Sequence, residues 1–312
     1  VWALIAQYLT NTIIDTLFLA VTVRWHPRLM FSWEAAKPMI RYGGKVMMTD
    51  LLGTVCNNLG DFIIGAKYTS ADLAYYTKGK QLPTLIKSNI YTSLISVLFP
   101  GMSKINDEGE KVKALSRKSI RVLTYIIYPL MTGLLVVAEP LTIFLYTEKW
   151  IAMVPFVWVV CIEAIFSVPG TITLQSVKAM GYRDKMLKAE IFKKPILILS
   201  IIIAMQYGVM AIALTLPLNT LLEFVINGVM AHKTVDYSIR EQLWDCLPAT
   251  IMSVLMGAGV LLVAHLPLGL GTIALLFVEI LVGIVIYVLL SVITRNEEFM
   301  ALASMAKQYL KR

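Results

Sequence analysis

Apolar runs of about twenty residues recur along almost the whole chain, and no other feature limits its fold so strongly. A helix rises about 1.5 Å per residue, so roughly 20 apolar residues cross the hydrocarbon core of a bilayer. About nine such runs, joined by short polar stretches, account for nearly all of the 312 residues. Charged residues make up only 15% of the chain against 58% hydrophobic, whereas a soluble domain has about a quarter charged. The expectation is an all-α polytopic membrane protein with about nine transmembrane helices and no room for a soluble catalytic domain.

The runs fall at about 2–23, 45–66, 71–102, 122–146, 151–177, 195–207, 209–231, 247–266 and 271–293. Between the first two, residues 31–42 read as a short surface helix with Ser32 as N-cap and Lys37 and Arg41 facing water. Residues 103–121, turning at Asn106-Asp-Glu-Gly109, read as a polar stretch, and 178–194 as a basic connection. Residues 295–312 read as an amphipathic tail. The net charge of +8 is not spread as a nucleic-acid surface would be. Twenty-three Lys and Arg residues lie in or at the edges of alternate connections, and only Lys67 and Lys149 lie in the others. That asymmetry sets orientation by the positive-inside rule, with the basic connections cytoplasmic. No nucleic-acid partner is expected. Val1 stands inside an apolar run, so the sequence reads as a fragment lacking an N-terminal part.

Motifs for chemistry are lacking. Gly43-Gly-Lys45 falls short of a phosphate-binding loop, because Val46 stands where Ser or Thr is needed. His26, His232 and His265 are scattered, and Cys56, Cys161 and Cys246 have no metal or redox spacing. No catalytic residue, metal site or cofactor is expected. The outer connections are too short to carry the catalytic clusters of a membrane glycosyltransferase, polymerase or ligase.

Charges stand where lipid should be. Ionisable groups inside the membrane are costly and face a cavity or a partner. The third run holds Lys78, Lys80 and Lys87, with Lys80, Thr84, Lys87 and Tyr91 on one helical face. Lys87 lies roughly 20 Å below the outer end of its helix, too deep to snorkel easily. Two readings stand side by side: the lysines line a solvated cavity, or they pair with carboxylates. The second run carries Asp50, Asn57 and Asp61 on one face, and depth alone sets Asp61 opposite Lys78. Glu163 near mid-depth is either a coupling site or a hydrogen-bonded packing residue. Asn219, Glu223 and Asn227 share a face suited to interhelical hydrogen bonding. Glu139 and Glu279 lie nearer the outer ends and receive no role. Prolines inside seven helical positions suit a rocking transporter or ordinary membrane-helix usage about equally.

A basic groove in a membrane protein attracts an anion. Several cations interleaved with Tyr75, Tyr76 and Tyr91 suit a large amphipathic anion, and a lipid-linked saccharide carries a pyrophosphate, a glycan and a tail that can stay in the bilayer.

Ser70-Ala-Asp-Leu-Ala-Tyr-Tyr-Thr-Lys-Gly-Lys-Gln-Leu-Pro83 and Val97-Leu-Phe-Pro-Gly-Met-Ser-Lys104 resemble the polysaccharide transporter family, which includes colanic acid exporters and Wzx-type lipopolysaccharide O-antigen flippases. Asn57-Asn-Leu-Gly-Asp-Phe-Ile-Ile-Gly65, Ala138-Glu-Pro-Leu141, Thr147-Glu-Lys-Trp150 and Lys178-Ala-Met-Gly-Tyr-Arg-Asp184 are similar too. The resemblance implies the multidrug/oligosaccharidyl-lipid/polysaccharide exporter superfamily, whose fold has two six-helix bundles around a cavity. On that mapping residues 1–44 hold the last helix of the first bundle and a cytoplasmic linker. Residues 45–231 form the second bundle, residues 232–312 hold two additional helices and the tail, and five helices precede Val1.

The resemblance further implies a flippase in the bacterial inner membrane, moving lipid-linked units, such as undecaprenyl-pyrophosphate oligosaccharides, by alternating access. Membrane lipids, a polysaccharide polymerase and export machinery are the implied partners. Lys78, Lys80 and Lys87, with Tyr76, Tyr91 and Asn57, are the expected cargo-binding residues. Asp61, Glu163 and Glu223 are the expected coupling or charge-pairing residues. A peptidoglycan lipid-precursor flippase, a multidrug exporter of the same superfamily, and a membrane-embedded glycan polymerase or ligase are the alternatives.

Overall fold

A computed structural model of the chain describes residues 2–23, 32–105, 108–267, 271–301 and 304. The described residues form helices and short turns, with no strand among them. The basic cluster at 24–28, Asn106 and Asp107 of the expected turn, the side chains of Arg41 and Asp50, and most of the expected C-terminal tail lie outside the described residues.

The chain divides into two units, residues 1–54 and 55–312. The first holds α1 (Trp2–Thr22) and most of α2 (Trp33–Asn57). The expected surface helix at 31–42 is no separate element: from Trp33 it runs on without interruption as α2. Pro38 does not stop it.

The second unit holds the remaining helices. These are α3 (Leu59–Lys67), α4 (Ser70–Lys104), α5 (Gly109–Val136), α6 (Ala138–Tyr146), α7 (Val154–Ala179), α8 (Arg183–Ala204), α9 (Val209–Val235), α10 (Ile239–Ala264) and α11 (Thr272–Ile293). Six described helical segments are long and apolar enough to cross a membrane: those built on α4, α5, α7, α9, α10 and α11. The protein is a multi-pass membrane protein. α1, the α2–α3 run and α8 occupy the other three segments expected from the sequence.

Several boundaries differ from the expectation for physical reasons. The polar stretch before 122 is mostly helix, because α5 begins at Gly109. Its charged residues are ordinary helix formers, and polarity marks the membrane edge rather than the helix end. α5 then stops at Val136, and α6 starts at Ala138. Pro140 explains this break, since its ring excludes the carbonyl four residues back and it donates no N–H. The expected basic connection at 178–194 likewise becomes the first half of α8. The second expected run is broken at Asn58, which takes φ −104° and ψ 8°. Asparagine side chains compete with the backbone for hydrogen bonds, which favours such a break.

α7 sits at the centre of this unit, packed on α4, α5 and α9, while α10 lies on α5 and α11. Small residues let the helices approach closely. A Cβ on Gly79 would come within 2.6 Å of the Phe156 Cβ and 2.8 Å of the Met153 carbonyl oxygen, so α4 can cross the start of α7 only at a glycine. The main core joins α4, α5 and α7 through residues such as Met102, Ile120, Ile127, Val168 and Ile172.

Candidate functional site

α4 positions most of the residues singled out by the sequence. Thr69 caps it in a reciprocal capping box: its side chain accepts from the Asp72 N–H at 3.1 Å, and the Asp72 carboxylate accepts from the Thr69 N–H at 3.1 Å. The helix then runs 35 residues through Pro83 and Pro100. It is the least apolar and the least covered of the six spans.

The three lysines separate by azimuth. Lys80 and Lys87 point into the bundle and form ion pairs with Asp61 of α3 and Glu163 of α7. Both members of the deeper pair are largely covered, with Lys87 and Glu163 side chains 16% and 13% exposed. Thr220 of α9 donates to the other Glu163 oxygen at 3.1 Å, so three helices meet on one carboxylate. One turn further, Tyr91 and Ser167 share a hydrogen bond of 2.9 Å. The Lys80 ammonium also lies 4.1 Å from the Tyr76 ring centroid. Such a cation–π contact adds to the pair in a desolvated setting.

Asp61 is therefore paired with Lys80 and not with Lys78. Depth along the membrane sets both lysines opposite Asp61, but residues two apart on a helix point about 200° away from each other. Lys78 instead donates to Gln81 Oε1 at 3.0 Å. Among the described residues it has no carboxylate at ion-pair distance. Its ammonium lies 5.8 Å from the Tyr146 ring, beside an aromatic cluster of Tyr75, Tyr146 and Trp150.

The α4 face that Lys78 shares is exposed. Gln81, Ser88, Thr92 and Ser96 continue it at helical spacing and are all exposed, as is Thr84 at the edge toward the Lys80 face. From Lys78 to Ser96 this face spans about 27 Å. Apart from Lys78 and the exposed Leu85, it is neutral, hydroxyl- and amide-bearing, and open. The sequence reading missed it. Serines and threonines in a membrane helix usually bond their own preceding turn, as Ser88 does to the Leu85 carbonyl, so single residues carry no signal. Their spacing was the available signal.

Other expected residues are scattered around the bundle. Lys194 reaches Asn57 Oδ1 at 3.5 Å. Glu223 lies half-buried on α9 near Lys193, which itself pairs with Glu190 at 2.5 Å. On the same α9 stripe, Asn219 donates to Ser200 at 3.0 Å and Asn227 to the Gly170 carbonyl at 3.2 Å.

A second charged cluster lies at the basic end of the bundle. The buried Asp245 carboxylate accepts from Arg117 Nε at 2.8 Å and Nη2 at 3.0 Å, from Arg121 at 2.9 Å, and from the Tyr237 hydroxyl at 2.8 Å. Burial and the neighbouring carboxylate push the Tyr237 phenol well above its ordinary pKa, so it stays a donor. This clamp fixes α10 on α5.

Comparison with known proteins adds the following. Residues 1–155 match the family model described as "Polysaccharide biosynthesis protein". The chain is 25% identical over 230 residues to "Lipopolysaccharide biosynthesis protein WzxC" of Escherichia coli K12, covering 73% of this chain and 46% of that protein. It is 26% identical over 165 residues to "Teichuronic acid biosynthesis protein TuaB" of Bacillus subtilis, covering 53% of this chain and 34% of that protein. The chain thus spans less than half the length of these relatives. Among solved structures it shares the fold of "Lipid II flippase MurJ, inward closed conformation", with TM-score 0.68, 17% identity, and coverage of 86% of this chain and 57% of that one.

Proposed function

We propose that this chain, which belongs to the polysaccharide transporter family, supplies one wall of a flippase that carries lipid-linked oligosaccharide or exopolysaccharide units across the bacterial inner membrane. The observation that carries this reading is the open polar face of α4. A membrane helix bordered by lipid would present apolar side chains there. Hydroxyls and amides instead match a glycan, whose own hydroxyls exchange one hydrogen bond for the next without a deep binding minimum. Lys78 stands at the outer end of that face with its charge uncompensated and an aromatic cluster beside it. It is the residue best placed to meet a pyrophosphate or an acidic sugar. Lys80 and Lys87, already neutralised by carboxylates, hold α4 against α3 and α7 and keep its polar face outward. No catalytic step is assigned to any residue.

The names of the relatives support the substrate class, since they are biosynthesis proteins of surface polysaccharides. The test is export in a strain whose full-length protein carries Lys78→Ala. Lipid-linked repeat units should accumulate on the cytoplasmic side, and surface polysaccharide should fall several-fold at unchanged protein level. Normal export would remove Lys78 from the path.

A further inference from the structure

A separate cavity of about 480 Å³ lies between α5, α10 and α11, with Ile86 of α4 also at its wall, on the side of α4 turned away from its polar face. Its wall is apolar, built from side chains such as Pro129, Leu134, Val260 and Ile284. The exception is Glu279. This carboxyl is 3% exposed and lines the cavity, yet its Oε2 has no partner. Among the described residues no cation or hydrogen-bond donor reaches either oxygen. The other polar groups at the wall are already committed: the Tyr125 hydroxyl bonds Ser291 at 2.8 Å, and the Tyr287 hydroxyl donates to the Tyr125 carbonyl at 2.8 Å.

The cavity has the size of a small-molecule site. It extends about 18 Å from Tyr125 of α5 to Val137, the residue just past that helix. Leu130 and Ile284 on its rim are 44% and 61% exposed, so it opens sideways toward the bilayer. A carboxyl buried this way without a donor is costly. A ligand arriving from the membrane with one donor and a long apolar body would satisfy it.

We infer that this cavity binds a lipophilic amine, with the nitrogen donating to Glu279 and the hydrocarbon chain lying along α5 and α11. The charge argument selects the amine: the wall offers one acidic group and no basic one, the reverse of the α4 face. The site is independent of the transport reading.

The test uses the full-length protein in detergent and native mass spectrometry with tetradecylamine, 1-tetradecanol and methyl tetradecanoate. The amine should bind at least about tenfold more tightly than the ester, as a charge-assisted hydrogen bond would give. Glu279→Gln should bring the amine down to the level of the alcohol. Gly133→Leu should weaken all three, because a side chain there projects into the cavity with only the Met256 methyl nearby, at 3.8 Å from a Cβ. A photoreactive amine on the unaltered protein should label α5 between 125 and 137 and α11 between 276 and 288, a readout that needs no variant. Equal binding of amine and ester, unchanged amine affinity in Glu279→Gln, or labelling elsewhere would each overturn the inference.

Discussion

Two charged clusters tie helices together in this molecule, and they do so in different solvents. The Lys87–Glu163 pair joins α4 to α7 with Thr220 as its only further ligand among the described residues, and both charges are mostly covered. The Asp245 clamp joins α10 to α5 at the basic end. There the carboxylate is 1% exposed, but its arginines Arg117 and Arg121 are 38% and 41% exposed. In the first case each charge has one opposite partner and little water. In the second the buried member has several donors and the exposed members have solvent. A buried pair is weak evidence of net stability, but removing one partner is expensive, because the other charge is then left bare. Redundancy and water remove most of that penalty at the clamp.

The largest effect is therefore expected at mid-membrane. Lys87→Ala should destabilise the full-length protein by about 3–5 kcal/mol, read as a drop in thermal unfolding temperature in detergent. The double change Lys87→Met with Glu163→Met should recover most of it, since no bare charge remains. If the single change costs no more than the double, the two charges were not mutually dependent.

A middle effect is expected nearer the outer end, where Lys80 and Asp61 are 21% and 26% exposed. Asp61→Lys and Lys80→Asp should each lower export by bringing like charges together. The exchange of both should restore most of it. Equal loss in all three variants would show that position, not pairing, matters there.

The smallest effect is expected at the clamp. Arg121→Ala should cost at most about 1 kcal/mol, because the exposed guanidinium is screened by water and Arg117 and Tyr237 continue to serve Asp245. A loss as large as that of Lys87→Ala would end the contrast between the two regions.

The intramembrane charges were legible in the sequence, because a Lys, Asp or Glu inside an apolar run stands out against its neighbours. Their partners were only partly legible. Depth could be counted along each helix, which sets Asp61 near the level of the first two α4 lysines, Lys78 and Lys80. The choice between Lys78 and Lys80 depended on azimuth. Azimuth depended in turn on how α4 is turned against α3, and on the break at Asn58 that restarts the register before Asp61. Glu163 was seen as a lone mid-depth acid. Its ion pair with Lys87 is a contact between residues 76 apart in sequence, which no local pattern carries.

The sequence by itself determined that this protein is a stack of membrane helices. Burial in lipid demands long apolar runs, and these are visible one residue at a time. It also determined which residues would be costly there. Only the tertiary structure decided which of those charges are spent on one another and which stay open. That sorting is set by the rotation of each helix about its axis, fixed by close packing at points such as Gly79, and it leaves Lys78 without a carboxylate partner among the described residues, beside a row of exposed hydroxyls, while turning Lys80 and Lys87 onto Asp61 and Glu163.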